Sequence, residues 1–115
     1  MIAVIFEVYP HPEHRQQYLD LAASLRPTLE EIDGFISVER FQSLTDETKI
    51  LSISFFRDET AVEQWRNISG HRSAHAKGRA SVFRDYQIRI ASVIRDYGMY
   101  EREQAPDDNK EKLAG

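Results

Sequence analysis

The chain has 115 residues, a formal net charge of −4 and no cysteine. That length suits one domain, and the absence of thiols rules out disulfide scaffolds, thiolate metal sites and thiol catalysis. The clustered basic excess of a nucleic-acid surface is missing, and no apolar stretch reaches the ~20 residues of a membrane span, so neither nucleic acid nor membrane is expected as a partner.

Residues 2–9 are rich in β-branched and aromatic side chains and end at Pro10, which predicts a strand. No basic leader with a small-residue cleavage site precedes it, so a cytoplasmic protein is the expectation. One face of this strand carries Ile2, Val4, Phe6 and Val8; the other carries Ala3, Ile5, Glu7 and Tyr9. Both faces are largely apolar, which predicts cover on both sides. Tyr18, Leu21, Ala22, Leu25, Leu29 and Ile32 then recur at three- and four-residue spacing, the stripe of an amphipathic helix over 12–32. Pro12 suits its first turn, Pro27 should kink or break its last turns, and Asp33-Gly34 supplies the stop.

Residues 35–44 and 49–56 predict two strands around a polar turn at 45–48, hence a hairpin. Asp58 is placed as the N-cap of a second helix whose apolar face holds Ala61, Val62, Trp65 and Ile68. Ser69-Gly70 should break it, with a short helix following through His75 to Gly78. Residues 82–97 predict a long last strand, with Tyr86, Ile88, Ile90 and Ile94 on one face and Arg89, Ala91, Val93, Arg95 and Tyr97 on the other. Residues 101–115 are charged and poor in large apolar side chains, so a flexible tail is expected, loose from about Glu103 onward.

The order strand, helix, strand, strand, helix, strand is the ferredoxin-like split βαβ arrangement of an α+β domain, here over residues 1–100. Helices cover one face of such a sheet. The opposite face also carries Val, Ile, Phe and Tyr, so a homodimer joined through the sheet is expected.

Chemistry-bearing residues concentrate between the second helix and the last strand. Trp65 is the only tryptophan, and His71 and His75 follow within ten residues. A flat aromatic ring beside imidazoles suits the wall of a pocket for a planar ligand, whereas the same residues also read as a core aromatic with solvated histidines. Trp65 is expected to be mostly buried and to line a cavity. His71 and His75 form an i, i+4 pair, but no third ligand follows them, which disfavours a zinc site. On an unbroken helix His75 lies closer in azimuth to Trp65 than His71 does, so His75 is expected to face the pocket.

The Asp58-Glu-x-Ala-x-x-x-Trp65-Arg66 segment, the His71-Arg72-x-Ala74 and Gly78-Arg79 that follow, and the long last strand resemble the antibiotic biosynthesis monooxygenase family over about residues 1–100. The resemblance implies a dimeric α+β barrel. Families on this fold include quinone-forming oxygenases without a prosthetic group, haem-degrading oxygenases and proteins with no known activity. The haem-degrading pattern places an Asn on the first strand, a Trp on the second helix and a His ten residues later. Trp65 and His75 match the last two, which would make His75 a haem-iron ligand; the first-strand position falls near Glu7 instead of Asn.

Glu7 lies in an otherwise apolar strand, so it should be paired, pocket-lining or near a strand end. The strand order implied by the family sets the last strand beside the first, making Arg89 and Arg95 candidate partners; the catalytic alternative is a base that takes a substrate proton. Tyr86 could hydrogen-bond a phenolic or quinone oxygen, and Arg79 could steer an anionic group, with His71 as a further substrate contact. No flavin or nicotinamide fingerprint is present, so haem or the substrate itself would have to supply the electronics. The reading is a monooxygenase acting on a planar hydrophobic molecule, phenol- or quinone-like or haem, with Glu7, Trp65 and His75 as candidate catalytic residues. The alternative is a non-catalytic small-ligand-binding or stress-response homodimer on the same fold.

Overall fold

The computed structural model describes residues 1–68 and 82–107. Strand β1 (Ile2–Pro10) leads through a 3₁₀ turn at Pro12–His14 into helix α1 (Arg15–Glu30). Strands β2 (Phe35–Gln42) and β3 (Ile50–Phe56) form the hairpin, helix α2 (Glu59–Asn67) follows, and β4 (Phe83–Ser92) closes the sheet. The strand order is β2-β3-β1-β4 with antiparallel pairing throughout. This is the ferredoxin-like α+β arrangement that the element order predicts.

The pairing register aligns residues into rows across the sheet. One row runs Arg40, Ser52, Phe6, Ile88; the next runs Val38, Ser54, Val4, Ile90. Because side chains alternate along a strand, each row lies wholly on one face. Both rows face the helices, as the packing shows. Val4 packs with Phe56 of β3 and with Ala61 and Val62 of α2, while Val8 packs with Tyr18 of α1, Ile50 and Val82. The core is thus two clusters, one beneath each helix.

Local signals set the element ends. Gly34 adopts φ 94°, and a Cβ there would stand 3.0 Å from the Ala61 Cβ, so glycine lets the chain turn close against α2. Its carbonyl accepts a 2.7 Å hydrogen bond from the Arg57 N–H, fixing the β2 and β3 ends together. Asp58 caps α2 by accepting from the Ala61 N–H at 2.9 Å. That hydrogen bond, with a second from Arg57, holds the Asp58 carboxyl below the ordinary aspartate range. In the hairpin loop, Asp46 accepts from both the N–H and the hydroxyl of Thr48, and Gln42 Nε2 donates to the carbonyls of Asp46 and Lys49.

Several segments depart from their predicted bounds. Helix α1 runs through Pro27 to Glu30, so the proline does not end it. Pro27 lies exposed in the last turn, where its missing N–H costs one intrahelical bond while Leu29 still packs inward. The last strand is shorter than the predicted 82–97, ending at Ser92. Ser92 pairs with Ile2 at the very start of β1, and only Val93 reaches further, its N–H donating to the Met1 carbonyl. Residues 96–105 instead fold on themselves: Asp96 N–H donates to Gln104 Oε1, Gly98 N–H to the Glu101 carbonyl, and Ala105 is buried. Residues 103–105 take part in that turn. Residues 108–115 of the tail lie outside the described residues, as does the short helix expected after Ser69. Among the described residues no helix is long and apolar enough to cross a membrane.

Candidate functional site

Between the sheet and α1 lies a cavity of about 100 Å³. Its floor is the two rows described above except for Ile90, and Tyr18, Leu21, Ala22, Leu25 and Leu29 of α1 form its roof. The sequence stripe of α1 explains that roof: residues spaced three and four apart stand on one side of a helix. Trp65 and Ile68, at the end of α2, wall one end, and Phe83 of β4 borders it as well. Trp65 is half-buried; its ring packs on Phe56 with centroids 6.2 Å apart. Phe83 meets Tyr18 edge-on at 5.4 Å and Phe6 at 6.0 Å, so aromatic faces and edges make up much of the remaining wall.

The lining is not uniform. Its β1 and β4 side is apolar, with Val4, Phe6 and Ile88. Its β2 and β3 side carries Arg40, Ser52 and Ser54. Arg40 Nε donates to the Tyr18 hydroxyl at 3.4 Å, and the guanidinium carbon lies 6.0 Å from that ring's centroid. Ser52 and Ser54 are 8% and 7% exposed. The sequence reading did not single out these three. The available signal was the alternation in β3, where two serines stand between Ile50 and Phe56 on a face otherwise committed to the core.

Of the six residues proposed from sequence, the three that the structure describes, Glu7, Trp65 and Tyr86, do not share one site. Trp65 lines the cavity. Glu7 belongs to the other face of the sheet, among the odd-numbered positions of β1, and so is separated from Trp65 by the sheet itself. There its carboxylate accepts from Lys49 Nζ at 3.1 Å and from Arg89 Nη1 at 3.3 Å. The hydrogen bond to Glu7 holds the Lys49 ammonium above the ordinary lysine range. Arg89 is thus the partner across the β1–β4 pair, while Arg95 lies past the end of β4. Tyr86 stands on the helix face of β4 but in the row beyond the cavity, its ring tilted against those of Phe6 at 5.6 Å and Phe83 at 6.2 Å. His71, His75 and Arg79 lie outside the described residues. Among the described residues no group of three His, Cys, Asp or Glu side chains is placed to hold a metal ion.

Residues 1–77 match the family described as antibiotic biosynthesis monooxygenase. A relative from Pyricularia oryzae named jasmonate monooxygenase is 47% identical over 93 residues, which is 81% of this chain and 43% of that protein. An uncharacterized Bacillus subtilis protein, YqjZ, is 29% identical over 62 residues, covering 54% of this chain and 53% of its own length. The chain therefore spans about half the length of the curated relatives it matches. Among solved structures, a Deinococcus radiodurans protein assigned to the same family superposes with a TM-score of 0.76 at 13% identity, over 85% of this chain and 97% of that one. A Mycobacterium tuberculosis protein superposes with a TM-score of 0.75 at 16% identity, over 84% and 98%. At those identities the superpositions speak for the fold.

Proposed function

Because the chain belongs to the antibiotic biosynthesis monooxygenase family, we propose that it oxygenates a compact, planar, largely apolar organic molecule in the cavity between the sheet and α1. The observation that carries this reading is the aromatic-walled cavity itself, with Trp65 at its end and Phe6, Tyr18 and Phe83 along its sides. Dioxygen reacts slowly with closed-shell organic molecules, but an electron-rich phenol or enol can reduce it directly. The protein then has to exclude water, hold the ring flat against the wall and keep oxygen beside it. In the net reaction one oxygen atom enters the substrate as a new carbonyl. The other leaves as water with the two displaced hydrogens. The Pyricularia relative, whose name gives jasmonate as substrate, supports a small organic molecule as the species oxygenated.

Haem is the less favoured substrate. The cavity that the described residues bound, about 100 Å³, is smaller than a tetrapyrrole requires. It suits one or two rings, lying below the ~300–1,000 Å³ of typical ligand pockets. A direct test is 1-naphthol under ¹⁸O₂, with naphthoquinone followed by mass spectrometry. The expected product carries one ¹⁸O atom, and Trp65→Ala, checked for folding by circular dichroism, should lower turnover about tenfold or more. Product without the label, or a rate equal to that of heat-killed protein, would overturn the reading. So would inertness toward 1-naphthol together with a Soret band and reductant-dependent bleaching when haem is added.

The same reading includes a homodimer formed through the outer sheet face. Ile5, Leu51, Ile53 and Phe55 sit half-buried on that face with no helix of the described residues over them, Phe41 is exposed beside them, and Ile94 and Tyr100 stand exposed past β4. A second copy of this sheet would cover them. Sedimentation at micromolar concentration should show a dimer, and Ile53→Glu should convert it to a folded monomer. A wild-type monomer would count decisively against the interface.

A further inference from the structure

We propose that the cavity recognises its ligand by a carboxylate, held by Arg40 with Ser52 and Ser54, so that the substrate is an apolar ring compound with an anionic head. The inference rests on the cavity reading above and adds the chemical class of the molecule that fills it.

Three observations converge on this corner. The first is register. Arg40 of β2 is paired directly with Ser52 of β3, and Ser54 follows two residues later on the same face, so the three polar side chains adjoin although they come from two strands. The second is lack of protein partners. Ser52 and Ser54 are more than nine-tenths buried, and among the described residues neither hydroxyl makes a hydrogen bond. Both residues line the cavity, so their hydroxyls are open to it and remain available to whatever enters it. The third is charge. Arg40 is the only ionic side chain among the described lining residues, and no carboxylate of the described residues pairs with it. Its one hydrogen bond there uses Nε, toward the Tyr18 hydroxyl, leaving both NH₂ groups for a ligand.

Guanidinium presents a planar fork of donors that matches the two oxygens of a carboxylate. The serine hydroxyls supply further donors toward the same head. The opposite side of the cavity, with Val4, Phe6 and Ile88, offers only apolar surface. The head therefore points toward β2 and the ring lies over β1 and β4, against the wall of Phe83 and Trp65. This gradient orients the molecule as well as selecting it, because a reversed pose would strip the carboxylate of its donors and bury it against phenylalanine.

The test compares 4-phenylbutyrate with 4-phenylbutan-1-ol, two probes alike in shape and differing in charge. Binding to the full chain is read by calorimetry and by the fluorescence of Trp65. Wild type should bind the carboxylate about tenfold or more tightly than the alcohol. Arg40→Gln should abolish that preference by weakening the carboxylate alone, Arg40→Lys should retain part of it, and Ser52→Ala should reduce it by a smaller factor. Equal affinities in wild type, or a preference that survives Arg40→Gln, would overturn the anchor while leaving the cavity reading intact. Failure of folded wild type to bind either probe would overturn both. Since Arg40→Lys keeps the charge and nearly the same length, a loss of fold in Arg40→Gln would still leave the preference measurable in a charged variant.

Discussion

Phe56→Ala is expected to cost about 3–5 kcal/mol of folding stability and to leave the protein largely unfolded at modest urea concentration. Phe56 is fully enclosed, 0% exposed, at the point where three elements meet. Its ring meets Phe35 edge-on at 5.8 Å and Trp65 at 6.2 Å, and it packs with Val4 of β1 and with Ala61 and Val62 of α2. Truncation removes the buried ring and leaves a cavity beneath α2. That helix is only nine residues long and cannot stand without its tertiary packing. Against the ~5–15 kcal/mol typical of a whole domain, the loss is a large fraction. Urea titration followed by circular dichroism measures it, and a change below about 1 kcal/mol would show that the ring contributes far less than its burial implies.

Ser54→Leu should separate stability from function, since the two are expected to move in opposite directions. The substitution replaces a buried hydroxyl that has no partner among the described residues, and it adds apolar volume where the cavity has room. Filling half of a cavity of about 100 Å³ is worth about 1 kcal/mol at ~24 cal/mol per Å³. Overpacking would cost about 1–3 kcal/mol in a full core, but this part of the core is not full. The melting temperature should therefore rise or hold, while affinity for 4-phenylbutyrate and turnover of 1-naphthol fall about tenfold or more. Unchanged binding would place the ligand elsewhere. A sharp loss of stability would mean that the cavity is already filled by side-chain motion.

The two substitutions differ by two residues in one strand and point to the same face, yet one dismantles the core and the other tightens it. β3 reads Ile50, Ser52, Ser54, Phe56 on its helix side, large residues at the ends and small polar ones between. The space above the serines is the cavity. Its position follows from residue size along one strand, with α1 bridging over the gap on Tyr18, Leu21 and Leu25.

Much of the architecture was legible in the amino-acid sequence because its determinants are local. Alternation marked β1, the three- and four-residue spacing from Tyr18 to Ile32 marked α1, Asp58 announced the start of α2, and Gly34 marked the turn after α1. These signals act within a few residues and need no knowledge of the rest of the chain. The element order then restricted the fold to the ferredoxin-like arrangement, and Trp65 was recognisable as a wall residue from its place on the α2 stripe.

What the tertiary structure alone decided depends on register between segments far apart in the chain. The sequence could list the two faces of β1 but, with both apolar, could not say which one the helices would cover; the fold put Phe6 in the cavity and Glu7 outside it, with Lys49 and Arg89. It could show that 82–97 favours extended chain, but only the pairing of β4 with β1, whose last rung joins Ser92 to Ile2, sets where the strand stops. Arg40, Ser52 and Ser54 carry no motif, since they are ordinary polar residues in two separate strands. Only the antiparallel pairing of β2 with β3, which sets Arg40 opposite Ser52, brings a cation and two hydroxyls to one side of an apolar cavity. Shifting that pairing by a single residue would turn those side chains to the opposite face, so this corner is set by the register of the folded sheet.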